Sequence, residues 1–237
     1  MSLRQQQHPL IQAWADQIEA IWIQYLTLSD YALPPEFEQV QGDLEGESLL
    51  IENICYQAPP FRKLHLQLAQ VGVGLDILHC VMFPEPNYAL PVFGTDLVGG
   101  RGQISAAIAD LSPITPDRQL SVAYHEYLNQ LPTLEFAQPR QLPDWGEIFS
   151  EFCLFVRPQT DQEEANFLDR AATYLHWHCQ QALIAQPLPE SQGAAVVTGH
   201  QHYCQQQQRN DKTRRILIKA FGEAWADRYM ATVLFDS

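Results

Sequence analysis

Two neighbouring apolar segments of the chain each carry a titratable side chain near their centre. The segment GLDILHCVMF (residues 74–83) carries His79, and the next segment, PVFGTDLVGG (residues 91–100), carries Asp96. Burial of a charged group costs free energy, so such a residue in an apolar strand serves either a structural hydrogen bond or chemistry. An imidazole beside a carboxylate in a partly apolar pocket suits proton donation near neutral pH.

The period of two along a strand predicts which side chains share a face of the sheet. Within residues 61–70, four side chains are expected to project together: Phe61, Lys63, His65 and Gln67. If these strands are neighbours, we expect His65, Gln67, His79 and Asp96 to line one pocket above the sheet. A core histidine that is hydrogen-bonded to an aspartate for structure alone remains the alternative.

The elements that must position these side chains can be predicted from hydrophobic periodicity. Residues 8–27 show the apolar spacing of an amphipathic helix, and residues 36–57 that of a β-hairpin. Short strands are predicted near 61–70, 76–83, 91–98 and 103–111. The connections between them are too short for a crossover helix, so we expect these strands to pair antiparallel in sequence order.

The last third of the chain is predicted to be helical. Thr160 and Glu163 have the spacing of a capping box before a long periodic run, another helix should start after Pro189, and Asn210 or Asp211 should cap a further one that ends near Gly222. The predicted fold class is α/β, with a central antiparallel sheet between helices. No Pro/Gly/Ser-rich linker divides the chain, so residues 1–237 are expected to form a single domain.

Charge and composition exclude several classes of partner. The formal net charge of −14 weighs against nucleic acid and anionic membranes. No run of about 18 apolar residues and no secretory signal is present. The five cysteines are odd in number and lack a C-x-x-C pair, which favours reduced thiols in a cytoplasmic protein.

Known cofactor and metal motifs are not found in the sequence. The two H-x-H pairs (His176/His178 and His200/His202) lie in predicted helices, where positions i and i+2 face apart and do not suit a shared metal. GTDLVGGRG matches neither a P-loop nor the G-x-G-x-x-G fingerprint, and no G-x-S-x-G is present. If the chain is an enzyme, its redox power must come from the substrate or a partner.

Four long segments resemble one protein family. They are LIENICYQ (50–57), the continuous stretch from FRKLHLQLAQ to AAIADLSP (61–113), LPDWGEIFSEFCLFVRP (142–158) and HYCQQQQRNDKTRRILIKAFGEAWADRYM (202–230). The chain is similar, from about residue 36 to its end, to the ferredoxin-dependent bilin reductases. The resemblance implies an α/β/α sandwich that holds biliverdin IXα between the sheet and the C-terminal helices. It also implies one-electron transfers from reduced [2Fe-2S] ferredoxin through bilin radicals, with protons supplied by the protein and no permanently bound cofactor.

The resemblance also implies roles for particular residues. Asp96 corresponds to the family's central aspartate, His79 to its proton-donating partner, and His65 to a second histidine linked to His79 by hydrogen bonds. Arg140 and Lys212 correspond to the cations that bind the bilin propionates. Asn210 and Ser105 are expected to be polar contacts, and Ile216 is expected to line the pocket.

The segment RNDKTRRILIK (209–219) holds five basic residues against one acid, so it is basic within an acidic protein. Lys212 is expected to face the ligand, and the remaining four to meet an acidic ferredoxin: Arg209, Arg214, Arg215 and Lys219. A solvated helix face without a partner is the alternative. A locally positive rim would steer an acidic partner with a strong dependence on ionic strength.

One residue departs from the family's pattern. Members that form phycocyanobilin carry a glutamate two residues after the KLH histidine, where this chain has Gln67. An amide cannot deliver a proton as a carboxylic acid can. In those members the glutamate serves reduction of the D-ring exovinyl group, so we expect this step to be impaired here, whether Gln67 is natural or engineered.

The expected function is therefore ferredoxin-dependent reduction of biliverdin to phycocyanobilin by a cytoplasmic monomer. Two alternatives stay open at this point. One is a related reductase that acts on a different position of the bilin. The other is a bilin-binding protein without turnover, which would need Arg140 and Lys212 but neither His79 nor Asp96.

Overall fold

Eight antiparallel strands form one sheet in the computed structural model, which describes residues 2–115 and 117–236. Their order across the sheet is β1-β3-β4-β5-β6-β7-β8, and β2 pairs with β3 beside β1. The strands are β1 Ser29–Asp30, β2 Gln39–Leu44, β3 Glu47–Ala58, β4 Phe61–Val71, β5 Leu75–Pro84, β6 Val92–Gly100, β7 Gln103–Ser112 and β8 Leu154–Val156. The predicted hairpin and the four predicted strands after it are confirmed as a sequential meander.

Helices cover both faces of this sheet. The first face packs against α1 (Pro9–Tyr25) and α3 (Asp161–Ile184), together with the short α2 (Val122–Asn129). The second face packs against α4 (Glu190–Gln207), α5 (Asp211–Phe221), α6 (Glu223–Tyr229) and the π-helical turn Met230–Leu234. The structure therefore confirms the predicted central antiparallel sheet with helices on both sides.

The N-terminal helix buries the stripe that the sequence predicts. Trp14, Ile18 and Trp22 lie on one side of α1 and are fully buried against the sheet. The indole N–H of Trp14 donates to Thr95 Oγ1 at 3.3 Å, so even the polar atom of this large side chain has a partner. This helix closes the first core.

The predicted helix ends are confirmed in part. Thr160 Oγ1 accepts a hydrogen bond from the backbone N–H of Glu163 at 3.2 Å, as a capping box requires. The Glu163 carboxylate accepts instead from the N–H groups of Gln159 and Ala137, so the reciprocal half of the box is not formed. Gly222 follows the end of α5 with a φ of 85°, a backbone conformation that glycine adopts without strain.

One facing prediction is wrong. Phe61 does not share the face of Lys63 and His65, because the register of the β4–β5 pair shifts between Phe61 and Lys63. The ring of Phe61 lies in the first core, with its centroid 5.1 Å from that of His178. Lys63 remains on the His65 face, and its side chain is fully buried there.

Candidate active site

Three of the predicted site residues form one row across the second face of the sheet. His79 on β5 lies directly opposite Asp96 on β6 and directly opposite Gln67 on β4. A hydrogen bond of 2.6 Å joins His79 Nδ1 and Asp96 Oδ1. Because a carboxylate only accepts, the imidazole nitrogen carries the hydrogen whenever Asp96 is ionised.

The two partners of this hydrogen bond differ in exposure. The Asp96 side chain is 46% exposed, whereas that of His79 is 16% exposed. The carboxylate can thus meet a ligand directly, while the imidazole beside it is more buried. Nε2 of His79 has no hydrogen-bond partner among the described residues.

His65 lies beside the row, two residues before Gln67 on the same face of β4, and is fully buried. Its Nε2 is 2.8 Å from Oδ1 of Asn53, and its ring contacts that of His79 edge to face, with centroids 5.8 Å apart. The described residues show this ring contact and no direct hydrogen bond between the two histidines, which is the link that the resemblance implied. Burial, and next the charge of Lys63, lowers the pKa of His65 well below its usual value.

Asn53 and Tyr229 belong to the same hydrogen-bond network and were not predicted. Asn53 Oδ1 accepts from the Tyr229 hydroxyl at 2.9 Å as well as from His65. Asn53 Nδ2 donates to the backbone carbonyl of Phe37 at 2.6 Å. A buried asparagine in the apolar strand LLIENIC was an available signal of the same kind as His79 and Asp96.

A second unpredicted cluster fixes the end of the described chain against this face. Lys63 Nζ donates to the carbonyl of Val233 at 2.6 Å and also pairs with the Asp236 carboxylate. Arg62 donates from Nη1 to Asp236 Oδ2 and from Nη2 to the Asp236 carbonyl, both at 2.6 Å. The pKa of Lys63 is lowered by burial, an effect that the negative charge of Asp236 opposes.

This cluster positions an aromatic ring over the row. Phe235 is the residue before Asp236, and its ring centroid lies 5.7 Å from that of His79 in an edge-to-face contact. The carbonyl of Phe235 also accepts from Gln208 Nε2 on the loop after α4, at 3.0 Å. The imidazole of His79 is therefore covered from the side opposite the sheet.

The structure brings together Arg140 and Ser105, two of the predicted ligand contacts. Arg140 Nη1 donates to the backbone carbonyl of Ser105 at 2.9 Å, and its guanidinium carbon lies 5.1 Å from the ring centroid of Phe155. Both side chains are exposed. A guanidinium held in this way retains free N–H groups for an anionic ligand.

The other predicted ligand contacts lie at α5. Asn210 precedes this helix without a side-chain capping bond, Lys212 is exposed in its first turn, and Ile216 is half-buried. Within the described ranges, no hydrogen bond, ion pair or ring contact joins these side chains to His79 or Asp96. The structure thus places them on the helical layer over the same face, apart from the row.

Part of the positive charge of the basic segment 209–219 is neutralised by carboxylates of the same chain. Arg214 pairs with both Glu223 and Asp227, and Lys219 pairs with Glu45 at 2.5 Å. Three cations of the segment have no carboxylate partner within the part of the chain that the structure describes: Arg209, Lys212 and Arg215. Two of the four residues predicted to meet ferredoxin are therefore neutralised within the chain.

The two histidines of the first H-x-H pair have different surroundings. His178 Nδ1 hydrogen-bonds the Tyr124 hydroxyl at 2.8 Å inside the first core, while His176 contacts the ring of Tyr25. Among residues 2–115 and 117–236, no group of three or more histidine, cysteine or acidic side chains is arranged to hold a metal ion. No helix in those ranges is both long enough and apolar enough to cross a bilayer.

A separate cavity of about 410 Å³ opens at the edge of the sheet between β1 and β2. It reaches Asn53 and Cys55, the residues of β3 that lie opposite Gln67 and His65. Asp30, Glu38 and Glu52 line its mouth. This cavity thus reaches the hydrogen-bond network of Asn53 from the edge of the sheet. Asp96 is not among its lining residues.

Comparison of the sequence with known proteins identifies the family of this chain. A family model described as ferredoxin-dependent bilin reductase matches residues 15–236. Phycocyanobilin:ferredoxin oxidoreductase from Trichodesmium erythraeum is 56% identical over 232 residues, which cover 98% of this chain and 95% of that protein. The protein of the same name from Synechococcus elongatus is 57% identical over 238 residues, with 100% and 96% covered. These matches extend the resemblance into the first 35 residues.

A solved structure agrees with the fold. Phytochromobilin synthase from tomato, in complex with biliverdin, superposes with a TM-score of 0.76 at 16% sequence identity, covering 94% of this chain and 81% of that one. At this identity the superposition supports the architecture, and the sequence matches supply the relationship. The chain belongs to the ferredoxin-dependent bilin reductases.

Proposed function

We propose that this protein reduces biliverdin IXα to phycocyanobilin with electrons from reduced ferredoxin. The observation that carries the proposal is the row formed by Gln67, His79 and Asp96, with its 2.6 Å imidazole–carboxylate hydrogen bond. Relatives that match this chain over 95% or more of their length bear the name phycocyanobilin:ferredoxin oxidoreductase, which supports the pigment product and the electron donor.

In this proposal the bilin lies against the second face of the sheet, under the layer of α4–α6. Asp96 is the more exposed of the two proton-bearing partners, so it contacts the pyrrole lactam oxygens. His79 supplies the hydrogen that Asp96 loses, through the bond between His79 Nδ1 and Asp96 Oδ1. Arg140 and Lys212 bind the two propionates by charge-assisted hydrogen bonds.

The reduction consumes electrons and protons in equal number. Each two-electron step adds two electrons from two reduced ferredoxins and two protons to one carbon–carbon double bond of the bilin, by way of radical intermediates. The row must therefore be reprotonated from solvent during turnover, and the exposed Asp96 carboxylate offers the route. The electrons come from the partner, so the chain itself needs no redox group.

Gln67 bears on the product. It lies directly opposite His79, two positions from His65 along β4, but its amide has no acidic proton to give. We propose that reduction of the D-ring exovinyl group is slower than in a chain with glutamate at this position. A second candidate function, reduction at another position of the bilin, rests on this same residue.

Binding of ferredoxin is assigned to Arg209, just before α5, and Arg215, on α5, neither of which has a carboxylate partner among the described residues. Lys212 is assigned to the bilin. The protein is proposed to act in the cytoplasm as a single-domain monomer. A bilin carrier without turnover would have no use for a histidine that is hydrogen-bonded to a half-exposed aspartate, and for this reason we favour the enzyme.

Anaerobic turnover of bound biliverdin tests the proposal. Purified protein with one equivalent of biliverdin receives reduced ferredoxin, and the absorption spectrum is followed while the pigment is extracted and separated by chromatography. Phycocyanobilin or a partly reduced bilin is expected. Unchanged biliverdin after exhaustive reduction would support the carrier instead, and a product reduced at a different position would support the second candidate function.

A further inference from the structure

The hydrogen bonds around Asn53 determine which nitrogen of His65 carries a hydrogen. The amide nitrogen of Asn53 is 2.6 Å from the backbone carbonyl of Phe37, a group that can only accept. The amide orientation is therefore fixed, with Nδ2 toward Phe37 and Oδ1 toward His65 and Tyr229. A reversed amide would place two oxygens against each other at that distance.

With this orientation, the hydrogen between Asn53 and His65 must belong to the histidine. Oδ1 of Asn53 is an acceptor and lies 2.8 Å from His65 Nε2, so Nε2 must be an N–H donor. The same oxygen accepts from the Tyr229 hydroxyl at 2.9 Å, which uses its second lone pair. The other ring nitrogen of His65, Nδ1, has no hydrogen-bond partner among the described residues.

The surroundings hold this arrangement rigidly. Asn53 is 8% exposed and His65 is fully buried. Tyr229 stacks on Trp225 with ring centroids 4.8 Å apart and contacts the ring of Phe37 at 5.4 Å. Residues from β3, β4, α6 and the turn before β2 thus converge on one amide group, whose rotation would break three hydrogen bonds at once.

We propose that Asn53 is a positioning residue that keeps His65 as the Nε2–H tautomer, so that Nδ1 presents a lone pair to the site. A neutral imidazole of this kind can accept a hydrogen at Nδ1 and has none to give there. His65 in its resting state therefore has no hydrogen to give at Nδ1, and the first proton taken by the substrate leaves from His79 and Asp96. This inference rests on the proposed bilin reduction for its functional part.

The neutral state fits the other groups around His65. Lys63 lies two residues away on the same face, and its charge, together with burial, lowers the pKa of His65. A resting imidazolium at His65 would also carry a hydrogen on the buried Nδ1. No described residue is placed to accept that hydrogen.

The tautomer can be read directly by NMR on the full-length protein labelled with ¹⁵N-histidine, in long-range ¹H–¹⁵N spectra with and without biliverdin. The His65 signals are identified by their loss in His65→Gln. We expect an Nε2 of the protonated type and an Nδ1 of the unprotonated type in the parent protein. The opposite assignment in the parent protein would overturn the inference without any variant being made.

Three variants separate positioning from simple structural support. Asn53→Asp keeps an oxygen acceptor and should keep the Nε2–H tautomer, whereas Asn53→Leu removes the acceptor and should give a mixture of tautomers. Tyr229→Phe, the matched control, removes the other donor to the same oxygen and should leave the tautomer unchanged. An unmixed Nε2–H tautomer in folded Asn53→Leu would contradict the role of Asn53.

Kinetics connect the tautomer to the reaction. In Asn53→Leu the rate of bilin reduction should fall about ten- to a hundredfold, the range seen when a group that orients a functional histidine is removed. The Kd for biliverdin should change by less than about threefold. If the parent protein shows the Nε2–H tautomer but reduces no bilin, the proposed function fails and the tautomer assignment stands; if it reduces biliverdin with Nδ1–H, only this inference fails.

Discussion

His79 and Asp96 face each other directly across the β5–β6 pair, joined by a 2.6 Å hydrogen bond, on the face of the sheet that the C-terminal helices cover. The pair is asymmetric, since the carboxylate is half-exposed and the imidazole is largely buried. This asymmetry gives each partner its own part in proton delivery: Asp96 meets the ligand and His79 supplies the hydrogen.

Replacement of Asp96 tests the proton donor. In Asp96→Asn the amide can no longer lose a proton, so we expect reduction to slow about 10²–10⁴-fold, the range of general acid catalysis. Binding should persist, because Asp96 contributes one contact while Arg140 and Lys212 hold the propionates. Stopped-flow reduction and a biliverdin titration measure the two quantities. Turnover equal to that of the parent protein would remove Asp96 from the mechanism.

The product is expected to depend on residue 67. Gln67→Glu places a carboxylic acid opposite His79, and we expect a faster D-ring step and a larger share of phycocyanobilin among the extracted pigments. Chromatography after a fixed number of electron equivalents measures this share. Identical product ratios in the parent protein and Gln67→Glu would rule out the role of Gln67.

Ferredoxin binding should discriminate between adjacent arginines. Among the described residues, Arg215 hydrogen-bonds the Asp211 carbonyl and no carboxylate, whereas Arg214 is neutralised by Glu223 and Asp227. We expect Arg215→Ala to raise the KM for ferredoxin several-fold at low salt, with the difference vanishing at high salt, and Arg214→Ala to change it much less. A larger effect from Arg214→Ala would place the docking surface elsewhere.

Stability should fall in mild acid because of His178. Burial lowers the pKa of His178 to about 3, while the unfolded chain takes up a proton below about pH 6.5. The folded state then binds fewer protons, so the free energy of unfolding decreases as the pH falls from about 6.5 toward 3, by about 1.4 kcal/mol per pH unit for this group.

Urea unfolding at several pH values measures this effect. His178→Gln should lose that part of the slope, about 2 kcal/mol between pH 6.5 and 5. His176→Gln, two residues away on the same helix, is the control and should retain it. His200, whose pKa burial lowers to about 4, contributes in the same direction and is present in both variants. Equal slopes in the parent protein and His178→Gln would contradict the expectation.

The ion pair between Lys63 and Asp236 should show strong coupling. Lys63 is fully buried, so Asp236→Asn leaves its charge without a countercharge and should destabilise the fold by about 3 kcal/mol. The double variant Lys63→Met/Asp236→Asn should recover much of this loss, although Arg62 then lacks its partner. A double-mutant cycle by urea unfolding gives the coupling, and simple additivity of the two single changes would argue against the pair.

The sequence by itself determined the order of the main helices and strands and the face of the sheet that carries the row. Periods of two and of 3.6 residues depend on the chain alone, so the helix at 8–27, the meander and the common face of Gln67, His79 and Asp96 could be predicted. The long matching segments also identify the family from the sequence alone.

Only the tertiary structure decided which distant groups meet. The bulge after Phe61 turned that ring to the other face, because register depends on the partner strand as well as on local alternation. Asn53 meets Tyr229 across 176 residues of sequence, and Arg214 meets its carboxylates by folding of α6 onto α5. Such contacts depend on how the helical layers pack on the sheet. The free energy of that packing is shared among many residues that are distant in sequence, so no local sequence pattern predicts the contacts.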